Sequence, residues 1–244
     1  SGETVYQQIW DGFYVRLEQY VSGAGVRVPR IFFTVSTDET DTDIFKSKVE
    51  YPLLYGEGVP DGVSAQVENW IAADILKARS EVEDVTEPDH DLAAESGTEL
   101  PPYGFYSVLR LSRAAGPVVS VVADMEQYLG GAHGMPYRAG YNFDPMTGDE
   151  IVLADIFKSG ADPWALLEED ITRQIELIRD RYSEIEGDSE YVPYDLYEGL
   201  SEPHEWYVTD EGITVIFTAY EIAPYAAGIP EFTVPWWRLS DYLK

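Results

Sequence analysis

The chain contains no cysteine, which excludes disulfides and thiol catalysis. It also lacks any run of about 18 apolar residues, so no transmembrane helix is expected. Basic residues are scarce. Sixteen Lys and Arg stand against 45 Asp and Glu, giving a formal net charge of −29. Such a chain repels phosphate backbones and anionic lipid, so neither nucleic acid nor a membrane surface is an expected partner. Cationic proteins and basic peptides are attracted instead, although the same charge also serves solubility alone. Only three histidines occur, His90, His133 and His204, and their spacing matches no zinc pattern, so no metal and no cofactor are expected. There is no Gly-x-Ser-x-Gly elbow, no Ser-x-x-Lys pair and no phosphate-cradling loop with its lysine. The first residues, Ser1-Gly2-Glu3, lack an initiating Met, as expected of a processed or truncated chain whose signal or anchor has been removed.

What is present suits a folded protein. Hydrophobic residues make up 45% of the 244, and 18 Tyr and 6 Trp bring the aromatic share to 14%. The most distinctive stretch runs from Met125 to Ile156. It reads as a strand, a glycine-bent loop around His133 (Gly130, Gly131, Gly134), a second strand, the turn Asp144–Asp149 and a third strand through Ile151 and Leu153.

Taken in order, residues 3–21 place Val5, Ile9, Phe13, Leu17 and Val21 at spacing four. That predicts an amphipathic helix, with two short strands as the alternative because of Gly12. Strands are expected at 31–35 and 44–55, separated by the acidic run Ser36–Asp43. This run lacks the glycine and the twelfth-position Glu of an EF-hand and reads as a solvated turn. A helix over 62–79 presents Val63, Val67, Trp70, Ile71 and Ile75 on one face, with Asp61 or Ser64 as cap. Ser80–Leu109 contains no Lys or Arg and many acids, and most of it is expected to be a long acidic loop.

Strands follow at 103–112 and 118–128. A second helix spans 164–182, with Leu167, Ile171, Ile175 and Ile178 at helical spacing. A hairpin is expected at 206–219 across Thr209–Gly212, then the loop Tyr220–Gly228, a strand at 231–234 and a short helix carrying Trp236 and Trp237. Strands and helices are segregated, which predicts an α+β fold: antiparallel sheets with a few packed helices.

Candidate site residues come from the two aromatic segments. They are Tyr128, His133 and Tyr141 in the first and Tyr220, Glu221 and Tyr225 in the second. Exposed tyrosines suit sugar stacking or protein contact. Glu221 sits among Tyr220, Ile222, Pro224 and Tyr225, where burial would raise its pKa as a hydrolase acid requires; a carboxylate capping backbone amides explains it equally well. Glycines supplying positive φ around a locally bonded His133 explain that loop without a ligand. No residue is singled out as catalytic.

Several of these segments together resemble a bacterial family: the extracellular domain of RsiV-type anti-sigma factors, shared with PdaC-type peptidoglycan deacetylases. The resemblance lies in Tyr51-Pro52, the helix with Asn69 and Ile71, and Tyr128 to Gly134. It continues through Tyr141 to Asp144, Thr147-Gly148, Leu153, Asp155 and Phe157, and ends with Tyr220 to Gly228. It covers about residues 31–244 and implies two closely associated subdomains, 31–148 and 149–244, after an N-terminal extension over 1–30. It further implies an extracellular or envelope-anchored, non-enzymatic binding or sensing domain. Lysozyme or another basic protein is the implied partner, with peptidoglycan the alternative as ligand of an accessory module.

Overall fold

A computed structural model describes residues 4–10, 13–18, 30–57, 59–114, 116–186, 192–200 and 203–244. The chain opens with two antiparallel strands, β1 (Thr4–Trp10) and β2 (Phe13–Glu18), not the expected helix. A spacing of four is even, so it keeps one face of a strand as well as one face of a helix. The intervening dipeptide Asp11-Gly12 is a hairpin sequence.

A five-stranded sheet follows in the order β3-β4-β5-β6-β7. Its strands are β3 (Arg30–Asp41), β4 (Phe45–Glu57), β5 (Tyr103–Arg113), β6 (Val119–Tyr128) and β7 (Met135–Phe143). The acidic run expected as a turn belongs to β3. Glu39 and Asp41 pair across the ladder with Lys48 at 2.8 Å and Lys46 at 2.9 Å, so their charge supports the strand rather than ending it. Pairing is antiparallel except between β4 and β5, which run parallel because the long helix α1 (Val63–Glu95) carries the chain back over the sheet.

Helix α1 continues 16 residues past its expected end, through the stretch expected as a loop. Val82 and Thr86 extend the buried stripe of Val63, Val67, Ile71 and Ile75, and Thr86 donates its hydroxyl back to the Val82 carbonyl. Neither Asp61 nor Ser64 caps the start; Gly62 occupies that position and its carbonyl accepts the Gln66 amide.

The third strand expected after β7 is a single bridge, Phe143 to Glu150, followed by the one-turn helix α2 (Leu153–Ile156). Asp155 accepts the Val152 amide and turns the chain. Helix α3 (Pro163–Glu186) covers a three-stranded antiparallel sheet of order β10-β9-β8: β8 (Trp206–Val208), β9 (Gly212–Ile216) and β10 (Glu231–Pro235). Leu167, Ile171 and Ile175 are buried as expected, whereas Ile178 is exposed. The short α4 (Trp236–Leu239) closes the chain. Trp236 packs on the core and donates Nε1 to the Thr209 carbonyl, while Trp237 stands in solvent. The fold is α+β.

Hydrophobic side chains gather in two large clusters, one drawn from residues 31–143 and one from Val118 and residues 151–243, and in a small third of Val122, Tyr207 and Ile216. A buried polar seam joins the two large ones. Ser120 donates to Asn142 Oδ1 and accepts the Val208 amide, while Asn142 Nδ2 donates to the Trp206 carbonyl. Gly140 lies in this seam. A Cβ there would sit 2.0 Å from the Trp206 carbonyl oxygen, so only glycine lets β7 and β8 approach.

Candidate functional site

The glycine loop after β6 and the loop before β10 meet. Gly130 and Gly131 adopt positive φ (83° and 97°), which turns the chain so that His133 reaches the second loop. The His133 ring stacks on Tyr225 with centroids 3.8 Å apart and 21° between planes. Tyr220 lies 5.5 Å from Tyr225, and its hydroxyl is 3.5 Å from His133 Nε2. The carbonyl of Gly134 accepts both the Tyr225 hydroxyl, at 3.0 Å, and His133 Nδ1, at 2.9 Å. A carbonyl only accepts, so Nδ1 carries the proton and Nε2 of the neutral ring is left as an acceptor facing Tyr220.

Tyr220 combines two unusual features. Its φ is 72°, a left-handed conformation costly for a side chain with Cβ, and it is 46% exposed. The exposed His133 and Tyr220 and the half-buried Tyr225 form one cluster.

The other expected residues lie elsewhere. The Tyr128 hydroxyl donates to the Gly131 carbonyl at 3.0 Å, bracing the glycine loop. Glu221 accepts the Thr218 amide at 2.7 Å and its hydroxyl at 3.0 Å through Oε2, while Oε1 lies 2.6 Å from His204 Nε2. Both oxygens are engaged, and the carboxylate holds the turn. Tyr141 is in the core, edge-on to Trp70, with its hydroxyl donating to Asp74 at 2.7 Å. Burial, reinforced by Asp74, drives its pKa far upward.

Beside the aromatic cluster a cleft of about 560 Å³ opens between the two halves. Asp74, Lys77, Ala78 and Glu81 of α1 form one wall, β7 the floor, and Glu205, Thr218 and Ala219 the other wall. Asp74 and Glu81 are seven residues apart and so share a helix face. Glu205 accepts the Gly140 amide at 3.1 Å. Desolvation at the cleft wall, with Asp74 and Glu150 nearby, holds its pKa above the usual carboxylate value, opposed by that amide. Burial pushes the Tyr137 phenol up to about 12, helped by Glu81 and Asp74. These cleft acids were not singled out from the sequence. The spacing of Asp74 and Glu81 was legible, but nothing in the sequence says that this face borders a cleft. Among the described residues no group of three or more His, Asp or Glu side chains is placed to hold a metal ion, and no helix is long and apolar enough to cross a membrane.

Residues 38–136 match the family model described as deacetylase PdaC, and residues 154–237 match that of a protein of unknown function, DUF3298. No curated protein matches the chain significantly. Among solved structures, a DUF3298 family protein from Pseudomonas aeruginosa PAO1 is similar at 18% identity and TM-score 0.53. A member of the same family from Bacteroides fragilis NCTC 9343 is similar at 16% and 0.59. Each alignment covers 88% of this chain and 94% of the other, and the likeness is one of fold. The chain thus joins a PdaC-type segment to a DUF3298 segment, as the resemblance of its motifs implies.

Proposed function

We propose that the chain is a non-enzymatic binding or sensing domain working outside the cell at the bacterial envelope, and that its partner is a cationic protein, with lysozyme the leading candidate. The observation that supports this most is the cleft itself. Three carboxylates converge on it, and exposed aromatics stand beside it, in a chain of net charge −29. Long-range attraction of that size speeds encounter and is screened beyond about 8 Å at physiological salt, whereas contacts inside a cleft survive screening. Engagement of both Glu221 oxygens by the turn and His204 favours a binding role over hydrolysis.

Calorimetric titration with lysozyme at low and moderate salt tests the reading. Micromolar or tighter binding that persists at moderate salt is expected. No binding, or binding lost on a modest rise in salt, overturns it.

A second reading, a cell-wall glycan module, is favoured by the exposed ring of Tyr220 beside Tyr225. Peptidoglycan pull-down that enriches the wild type but not Tyr220→Ala supports it, and equal recovery of the two removes it.

A further inference from the structure

The floor of the cleft is a sheet edge. β7 ends the five-stranded sheet and pairs with β6 without a register shift. The Gly140 amide points outward to Glu205, and the Asn142 carbonyl points outward to accept the Ile151 amide. Alternation along a regular strand then directs the even positions outward: Arg138 presents its N–H and C=O to the cleft, and Pro136 its C=O. Among the described residues no strand lies along this edge between Met135 and Ala139. Five residues span about 17 Å, enough for a short extended segment.

Both ends of the gap are closed. Pro136 has no amide to offer, and beyond it Tyr225 takes the Gly134 carbonyl. At the other end Glu205 and Trp206 cover Gly140. The walls bring Asp74, Glu81 and Glu205 to the gap, against Lys77 on α1. The Arg138 side chain is already held by Asp124 and by Glu231, so it neutralises little of this acid.

We propose that this edge accepts an added β-strand: an extended, basic polypeptide segment that pairs with the backbone of Arg138 and Pro136. Lysines or arginines at alternate positions would meet Asp74, Glu81 and Glu205. The proposal rests on the reading that the partner is a cationic protein and supplies its mode of attachment. A second copy of this acidic chain is repelled by the same carboxylates, so the edge is guarded against self-association while open to basic strands.

The test uses the whole chain and an end-blocked Lys-Val-Lys-Val-Lys peptide, beside the same peptide N-methylated at alternate backbone positions so that it cannot complete the ladder. At moderate salt the plain peptide binds at least tenfold more tightly and slows amide hydrogen exchange at Arg138 at least tenfold. Equal affinity of the two peptides, or unchanged Arg138 exchange at saturation, overturns strand addition. Lysozyme is titrated in parallel. Lysozyme binding without slowed exchange at Arg138 overturns the strand mode and leaves the cationic-partner reading standing. Peptide binding with slowed exchange, while lysozyme fails, keeps the strand site and removes lysozyme as its source. No binding by either overturns both.

Discussion

The five-stranded and three-stranded sheets are each covered by one long helix, and the two helices treat their acids in opposite ways. On α1 the acids from Glu81 to Glu95 stand in water; Glu83, for example, is 52% exposed and lies 3.7 Å from Arg79. On α3 the Asp170 side chain is 6% exposed and is gripped by Arg173 at 2.6 Å, Arg238 at 3.2 Å and Gln174 at 2.8 Å. A solvated carboxylate costs the fold little and contributes little to it, so it is free to act on a partner. A buried one is part of the fold and leaves a penalty when its partners are removed. Asp74, Glu81 and Glu205 are exposed as well, and what sets them apart is that they line one cleft.

The largest effects should show how far the two halves depend on each other. Ile71→Ala under the first sheet and Ile171→Ala under the second each delete a fully buried side chain. Each should cost about 4 kcal/mol in denaturant unfolding. Because Ser120 and Asn142 tie the sheets together, both variants should shift one common transition. Two separate transitions would break the comparison into independent domains. Next in size, Asp170→Ala should cost roughly 3 kcal/mol, against less than about 0.5 kcal/mol for Asp84→Asn on the solvated helix. Equal losses in thermal melts would erase the distinction.

A third test turns on pH. Tyr137 titrates near 10 in the unfolded chain and about 12 in the folded one, so the folded state holds its proton longer. Its stabilising contribution is complete below pH 10 and is lost as pH rises from 10 towards 12. Tyr137→Phe should therefore flatten the alkaline fall of stability measured across that range, and an unchanged slope would contradict the assignment. The smallest effect is opposite in sign. Tyr220→Gly removes left-handed strain and should raise stability by about 1 kcal/mol while weakening partner binding, because the exposed ring is lost. A variant that is both more stable and fully competent would show that the ring serves no contact.

The sequence shows much of this where one period prevails. The buried stripe from Val63 to Ile75 and the turn at Thr209–Gly212 lie where patterning puts them. The second half of α1 was hidden by its acids, since the continuing stripe is carried by only Val82 and a threonine that satisfies its own hydroxyl. At the N-terminus the spacing serves both periods, so the two strands were legible only as the alternative to a helix. At the site, two aromatic loops were visible as unusual, and His133, Tyr220 and Tyr225 do meet. Tyr141 was indistinguishable from them by composition, yet it lies on the inward face of β7. The cleft acids were invisible because a wall between two halves is a tertiary fact that no local pattern encodes.

The most direct measurement compares two variants that lose the same charge in different places. One carries Asp74→Asn, Glu81→Gln and Glu205→Gln in the cleft; the other carries Asp84→Asn, Glu87→Gln and Asp91→Asn on exposed α1. Lysozyme affinity at moderate salt should fall at least tenfold in the first and less than about twofold in the second, since charge that does not touch the partner is screened within a Debye length. Equal losses in both would mean that net charge alone attracts the partner, and would contradict the cleft as its seat.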